Sequence, residues 1–143
     1  MKVSELMNTY VVSVLPTDTL HDAAMKMKKE KIGSILICEE GGRLKGILTD
    51  RDIGMAVAAE LKDPRTTVAS DIMKKAPVMI ESDADIDSAL RLMSESVIRR
   101  LPVCENRKIV GVLSMSDVAT EIKDELNQFI DIEEAFAKNW KYT

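Results

Sequence analysis

Apolar and polar positions alternate along this chain with two clear periods. Apolar residues at positions 20, 23, 24 and 27, and again at 86, 89, 90 and 93, follow the i, i+3, i+4, i+7 spacing of a helix with one buried stripe. Short apolar runs at 11–14, 34–38, 44–48, 78–80, 101–104 and 109–113 predict strands. Further helical stretches are predicted at 50–61 and from 116 onward. The pattern therefore mixes both element types throughout.

The elements occur in the same order twice. VSELM at 3–7 returns as ASDIM at 69–73, ILIC at 35–38 returns as LPVC at 101–104, and GILTDRDI at 46–53 returns as GVLSMSDV at 111–118. Each copy is predicted to run strand, helix, strand, strand, helix, which gives an α+β fold, an α/β sandwich of two pseudo-symmetric repeats. We assign 1–61 to the first repeat, 62–68 to a linker, 69–120 to the second repeat and 121–143 to a C-terminal helical extension.

Length and composition limit the class of protein. With 143 residues, neither half alone can bury a comfortable core, so the two halves are expected to share one. The apolar share of 45%, the charged share of 31% and the net charge of -4 are typical of a globular chain, and the acidic balance argues against a general nucleic-acid binder. Without a long apolar run or a signal-like N-terminus, we expect a cytoplasmic protein that is not in the membrane.

The reactive side chains are few. Cys38 and Cys104 occupy the same position of the two copies, so we interpret them as a small strand residue present twice, with a redox pair as the alternative. The lone histidine, His21, lies on the exposed side of the first predicted helix. No nucleophile–base pair and no metal-ligand set can be proposed, so we expect neither an enzyme, nor a metal site, nor a required cofactor.

The repeated hydroxyl and aspartate, Thr49 with Asp52 and Ser114 with Asp117, have two interpretations. Each pair has the spacing of a capping box, which satisfies two amides at the start of a helix. Capping does not explain Gly46 and Gly111, which precede the hydroxyls inside predicted strands, where glycine often marks a close approach. A void beside a helix start can accept an anion, and a carboxylate there can bind ribose hydroxyls. Pure capping and a nucleotide site therefore both stay open.

With these motifs, the chain resembles a tandem pair of cystathionine-β-synthase-type domains, known as a CBS pair or Bateman module. The resemblance is carried by the SELM and SDIM openings, the RRLPV stretch at 99–103 and the two G-x-x-[ST]-x-x-D endings, and it covers residues 3 to about 120. It implies two repeats packed sheet to sheet about a pseudo-twofold axis, and a homodimer of such modules. It also implies two clefts that bind an adenine-containing ligand.

The resemblance further assigns residues to each cleft. The first cleft is expected to be basic, suited to a di- or triphosphate, and to contain Thr49, Arg51, Asp52, Lys74, Val78, Ile98, Arg99 and Arg100. The second is expected to carry hydroxyls and almost no charge, suited to a monophosphate or nucleoside, and to contain Asn8, Val12, Ile32, Gly33, Ser114, Ser116 and Asp117. Because aromatic residues make up only 3% of the chain, the base is expected to lie between aliphatic side chains.

The function this implies is a regulatory module that binds AMP, ADP, ATP or a related adenosyl ligand and signals occupancy to an unknown effector protein. The alternative is a dimerisation or interaction scaffold that binds no ligand and acts through its C-terminal helix. That helix carries a broken apolar stripe near heptad spacing, at Ile122, Leu126, Phe129, Phe136 and Trp140. We expect the stripe to pack against its own module or a dimer partner, with an effector protein as the alternative.

Overall fold

The computed structural model describes residues 1–75 and 77–139. Its elements, in chain order, are α1 (Val3–Leu6), β1 (Ser13–Val14), α2 (Leu20–Glu30), β2 (Ser34–Cys38), β3 (Leu44–Thr49), α3 (Asp50–Gly54), a π-helical segment (Met55–Ala59), α4 (Ala69–Ile72), β4 (Lys74–Lys75), β5 (Ile80–Glu81), α5 (Ile86–Ser96), β6 (Arg100–Glu105), β7 (Lys108–Ser114) and α6 (Met115–Asn139). The predicted α+β class is confirmed.

The strands form two sheets of the same design. In the first, the order is β1-β2-β3-β4, with β1 parallel to β2 and the other pairs antiparallel. In the second, the order is β5-β6-β7, with β5 parallel to β6. The first hairpin is closed by residues 39–43, with positive φ at Gly41 and Gly42, and the second by the two-residue turn Asn106-Arg107, where both residues have positive φ.

Each sheet is buried on both faces, which explains the unbroken apolar runs in β2 and β6. Ile35 and Ile37 of β2 point to a core that they share with the stripe of α2. Their neighbours Leu36 and Cys38 belong to a cluster between the two sheets, which also contains Cys104. The backbones of the two hairpin turns meet, since Ile109 N donates to Gly42 O at 2.9 Å. The two repeats therefore share one core, as their size requires.

Both cysteines are packed in this shared core. Cys38 and Cys104 are 4% and 0% exposed. Burial raises the pKa of the Cys38 thiol to about 11, and it raises the pKa of the Cys104 thiol as well. Because the thiolate is the reactive form, these environments favour the packing interpretation over the redox pair.

The opening segments of the two repeats are exchanged. Val3 of α1 is fully buried in the core around α5 and β6, which belongs to the second repeat. Asn8 forms an antiparallel bridge with Val112 of β7, with both backbone hydrogen bonds at 2.9 Å. Reciprocally, Ala69 of α4 is fully buried in the core of the first repeat, and β4 pairs with β3. Each repeat is therefore completed by residues from the start of the other.

Candidate functional site

A cavity of about 330 Å³ opens between the two sheets. The segment after α1, the end of α2 and strand β2 supply one side, and β6, β7 and the start of α6 supply the other. Its lining consists of Asn8, Tyr10, Val12, Glu30, Ile32, Ser34, Leu36, Ile47, Arg100, Pro102, Val112, Ser114 and Asp117. The cavity volume lies in the range of small-molecule sites. Residues assigned from the sequence to the second cleft, Asn8, Val12, Ile32, Ser114 and Asp117, meet here.

The start of α6 contributes to the lining of the cavity. Ser114 Oγ accepts a hydrogen bond from Asp117 N at 3.1 Å, and Asp117 Oδ2 accepts one from Ser114 N at 3.3 Å. This is the reciprocal capping box that the spacing predicts. A carboxylate has about four acceptor positions, so the cap leaves Asp117 able to accept further hydrogen bonds. Capping and ligand binding are therefore compatible at this residue.

Arg100 lines this cavity, whereas the sequence interpretation assigned it to the first cleft. In the register of the second sheet, Arg100 lies directly opposite Ser114. Alternate residues of a strand share a face, so Arg100 and Pro102 both point to the other sheet. The expectation that the second cleft carries almost no charge is wrong, because Arg100, Glu30 and Asp117 all line it.

Gly33 and Ser116 lie beside the cavity and outside its described lining. The Gly33 carbonyl accepts a hydrogen bond from Asp50 N at 3.0 Å, and its Cα faces the Asp50 side chain. Ser116 Oγ lies 2.9 Å from Ser114 Oγ. Ser116 is thus placed to support the Ser114 hydroxyl, whereas Gly33 is engaged within its own repeat.

The residues assigned to the first cleft occupy positions that mirror this arrangement. Thr49 and Asp52 form the matching capping box at the start of α3, with both hydrogen bonds at 3.1 Å. Lys74 pairs with Ile47 at the edge of the first sheet. Ile98 packs against the second core, and the remaining assigned side chains are exposed, namely Arg51, Val78 and Arg99. Their grouping into a ligand site stays a prediction.

The two glycines have a different role from the one predicted. A Cβ on Gly46 would lie 2.8 Å from the carbonyl oxygen of Lys74, and a Cβ on Gly111 would lie 2.9 Å from that of Asn8. Methionine sulfurs, from Met73 and Met7, are closer still. The space beside each glycine is therefore filled by the exchanged segment and is not a void for a ligand. Glycine permits this approach, and the approach brings Asn8 to the cavity.

Tyr10 and Glu30 are lining residues that the sequence interpretation missed. Tyr10 Oη donates a hydrogen bond to Glu30 Oε1 at 2.8 Å, and this hydrogen bond to a carboxylate raises the pKa of the tyrosine hydroxyl. For Tyr10 the signal available in the sequence was spacing, since it precedes Val12 by two residues. Residues two apart in an extended segment share a face. Glu30 ends helix α2, so no spacing in the sequence indicates it.

The CBS domain family model matches residues 3–59 and 69–124. The chain belongs to the CBS-domain family. The CBS domain-containing protein YhcV of Bacillus subtilis is 37% identical over 117 residues, which cover 82% of this chain and 82% of that protein. The recognition of a CBS pair from its motifs is thus confirmed.

Solved CBS structures share the fold. A crystal structure of Hypoxic Response Protein I with two coordinated zinc ions has a TM-score of 0.77 and 33% identity, covering 84% of this chain and 98% of that one. The crystal structure of CBSX2 in complex with AMP has a TM-score of 0.75 and 23% identity, covering 86% and 96%. Among the described residues of the present CBS pair, no group of three His, Cys, Asp or Glu side chains is placed to hold a metal ion.

The two remaining features are the histidine and the long helix. His21 is exposed, as predicted. Helix α6 continues from the second repeat to Asn139, and Ile122, Leu126 and Phe129 on it are 53%, 56% and 60% exposed. Trp140, the last member of the predicted stripe, lies outside the described residues. No helix within the described ranges has the length and apolar character needed to cross a membrane.

Proposed function

We propose that this CBS pair is a regulatory module that binds an adenine-containing ligand in the cavity between its repeats and signals occupancy to a partner protein. The observation that carries the proposal is the cavity itself, to which both repeats contribute. A ligand that contacts both repeats can favour one relative arrangement over another, which is the requirement for a ligand-driven switch.

The lining of the cavity offers groups for both the base and the sugar-phosphate of a nucleotide. Val12 and Ile32 offer aliphatic surface for a flat base, while Ser114, Asp117 and Arg100 offer acceptors, a hydroxyl and a cation. Asp117 accepts hydrogen bonds from ribose hydroxyls, and Arg100 together with the amino end of α6 binds a phosphate. The AMP complex of CBSX2, a protein of the same fold, agrees with this choice of ligand.

The charges of the cavity favour ligands with few negative charges. Arg100 is its one cation among the described lining residues, and it is opposed by Glu30 and Asp117. A triphosphate would add several negative charges to this set, whereas AMP or a nucleoside adds few or none. We therefore propose AMP-like ligands for this cavity, and we keep the predicted first cleft, with Arg51, Lys74 and Arg99, for more highly charged ones.

Nucleotide binding is tested by a thermal-shift series with AMP, adenosine and ATP on the wild type and on Asp117→Ala. A ligand at about 100 times its dissociation constant should stabilise the wild type by about 2.7 kcal/mol. We expect AMP to stabilise the wild type by this amount. We expect AMP not to stabilise Asp117→Ala, because the acceptor for the ribose hydroxyls is gone. If no adenosine compound stabilises the wild type, the proposal fails.

The control for this series separates capping from binding. Asp22 forms the equivalent reciprocal cap on α2, with Asp22 Oδ2 accepting from Thr19 N at 3.2 Å, and it lies outside the cavity. Asp22→Ala should cost about 1 kcal/mol of stability, as should Asp117→Ala, but it should keep the full gain from AMP. Equal gains in the two variants would contradict a role of Asp117 in binding.

The exposed side chains of α6 favour a second candidate function, a scaffold that pairs with a second copy of the chain through this helix. Ile122, Leu126 and Phe129 follow the 4-3 spacing of a helix-pairing seam. Acidic residues outnumber lysines on α6, so two copies repel each other at low salt and pair better at high salt.

Sedimentation velocity at low and high salt tests the scaffold. The double variant Leu126→Ser with Phe129→Ser should convert dimer to monomer, while Leu61→Ser, at a leucine outside α6 that is 83% exposed, should not. If the double variant is still a dimer, the interface lies on another surface. If the wild type is a monomer, the chain does not act as a scaffold by pairing with itself.

A further inference from the structure

Tyr10 and Glu30 form a hydrogen-bonded pair in the lining of the cavity, and neither takes part in the capping box of α6. Tyr10 Oη donates to Glu30 Oε1 at 2.8 Å, and both residues line the cavity. Sequence resemblance gave neither residue a role, and neither is needed for the cap or for the cores. The presence of this tyrosine–carboxylate pair in the cavity is therefore explained best by a contact with the ligand.

We infer that Glu30, held by Tyr10, is the residue that selects the base: its carboxylate accepts a hydrogen bond from the exocyclic amino group of a 6-aminopurine. This inference rests on the proposed function, since it assigns the base specificity of the same cavity. Glu30 is then the group that distinguishes adenine from purines that carry an oxygen in place of the exocyclic amino group.

The backbone fixes both members of the pair. Tyr10 N donates to Asn8 Oδ1 at 2.8 Å, and Asn8 is itself bridged to Val112. Glu30 is the last residue of α2, and Lys31 after it ends the helix in a left-handed conformation. The backbone of Tyr10 is therefore anchored to β7 through Asn8, and that of Glu30 is held at a helix end, each two residues before the aliphatic residue Val12 or Ile32.

The carboxylate retains the capacity to bind a ligand. One hydrogen bond from Tyr10 occupies one of about four acceptor positions on Glu30. An amino group of a base held between Val12 and Ile32 is a donor and matches a carboxylate. A carbonyl oxygen at the same point of the base is an acceptor, and it would face the negative charge of Glu30 without a hydrogen bond.

The inference is tested by isothermal titration with adenosine, inosine and purine riboside, which carry an amine, an oxygen and a hydrogen at the relevant carbon. The variants are Glu30→Gln and Tyr10→Phe, with Glu40→Gln, an exposed glutamate in a turn outside the cavity, as the matched control. Hydrogen bonds to charged groups correspond to roughly 10- to 100-fold in affinity. We expect the wild type and Glu40→Gln to prefer adenosine to the other two by this factor.

Glu30→Gln should bring the adenosine-to-inosine ratio close to one, because an amide offers a donor as well as an acceptor. Tyr10→Phe should reduce the ratio without removing it, because the carboxylate stays but is no longer held. Equal wild-type affinities for adenosine and inosine, or a ratio unchanged in Glu30→Gln, would overturn the inference and leave the proposed function intact. Wild-type protein that binds AMP and none of the three nucleosides would also overturn it, and failure to bind any adenosine compound would overturn both.

Discussion

Val3→Asp should lower the free energy of unfolding by about 4 kcal/mol, since it places a carboxylate where a fully buried side chain fills the core around α5 and β6. Urea denaturation followed by circular dichroism measures this loss. Ser4→Asp introduces the same charge at the next residue, which is exposed, and should stay within about 0.5 kcal/mol of the wild type.

The exchange of segments determines which repeat each substitution destabilises. Val3 belongs to the first repeat by sequence but packs in the second, so amide hydrogen exchange in Val3→Asp should accelerate in 86–114 more than in 20–49. Ala69→Asp should do the reverse, because Ala69 is fully buried in the first core. Faster exchange of 20–49 in Val3→Asp would contradict the exchanged packing.

Most of the fold could be predicted because it depends on local periodicity. The stripe at Leu20 and Ala23 and the cap at Thr19 fix α2 within a few residues, and the turns at Gly41-Gly42 and Asn106-Arg107 define the two hairpins. The strands at 11–14 and 78–80 were harder, since only 13–14 and 80–81 pair as strand. Such short strands are fixed by their parallel neighbours, which lie far away in sequence.

The exchanged segments could not be predicted from the repeat. VSELM and ASDIM have the same pattern whether each packs in its own half or in the other, because the two cores are nearly identical. Only the tertiary structure distinguishes these alternatives. The same limit applies to Glu30 and Tyr10, which meet across the cavity from a helix end and an extended segment 20 residues apart.

The glycines show how one pattern can have two physical causes. A glycine in a strand marks a close approach, and the sequence does not tell whether a ligand or the chain itself approaches. At Gly111 the approaching group is the backbone of Asn8, which is fixed by two hydrogen bonds to Val112. Likewise, the spacing of Ser114 and Asp117 predicts a cap, and the cap leaves the carboxylate able to bind a ligand.

Gly111→Ala should lower the free energy of unfolding by about 1–3 kcal/mol, which corresponds to a melting temperature lower by roughly 3–10 °C. The new Cβ would lie 2.7 Å from Met7 Sδ and 2.9 Å from Asn8 O. The methionine side chain can rotate away, but the carbonyl cannot, so the bridge between Asn8 and Val112 must open. Because Asn8 lines the cavity and anchors Tyr10, stabilisation by AMP should fall in the same variant.

Gly54→Ala is the matched control for this substitution. Gly54 lies in α3 with open space around its Cα, so alanine there should leave stability unchanged or raise it by up to about 1 kcal/mol through helix propensity. Calorimetry of the two variants compares the same chemical change with and without a neighbouring backbone. If Gly111→Ala were as stable as Gly54→Ala, the close approach of Asn8 would not be the reason for glycine at this position.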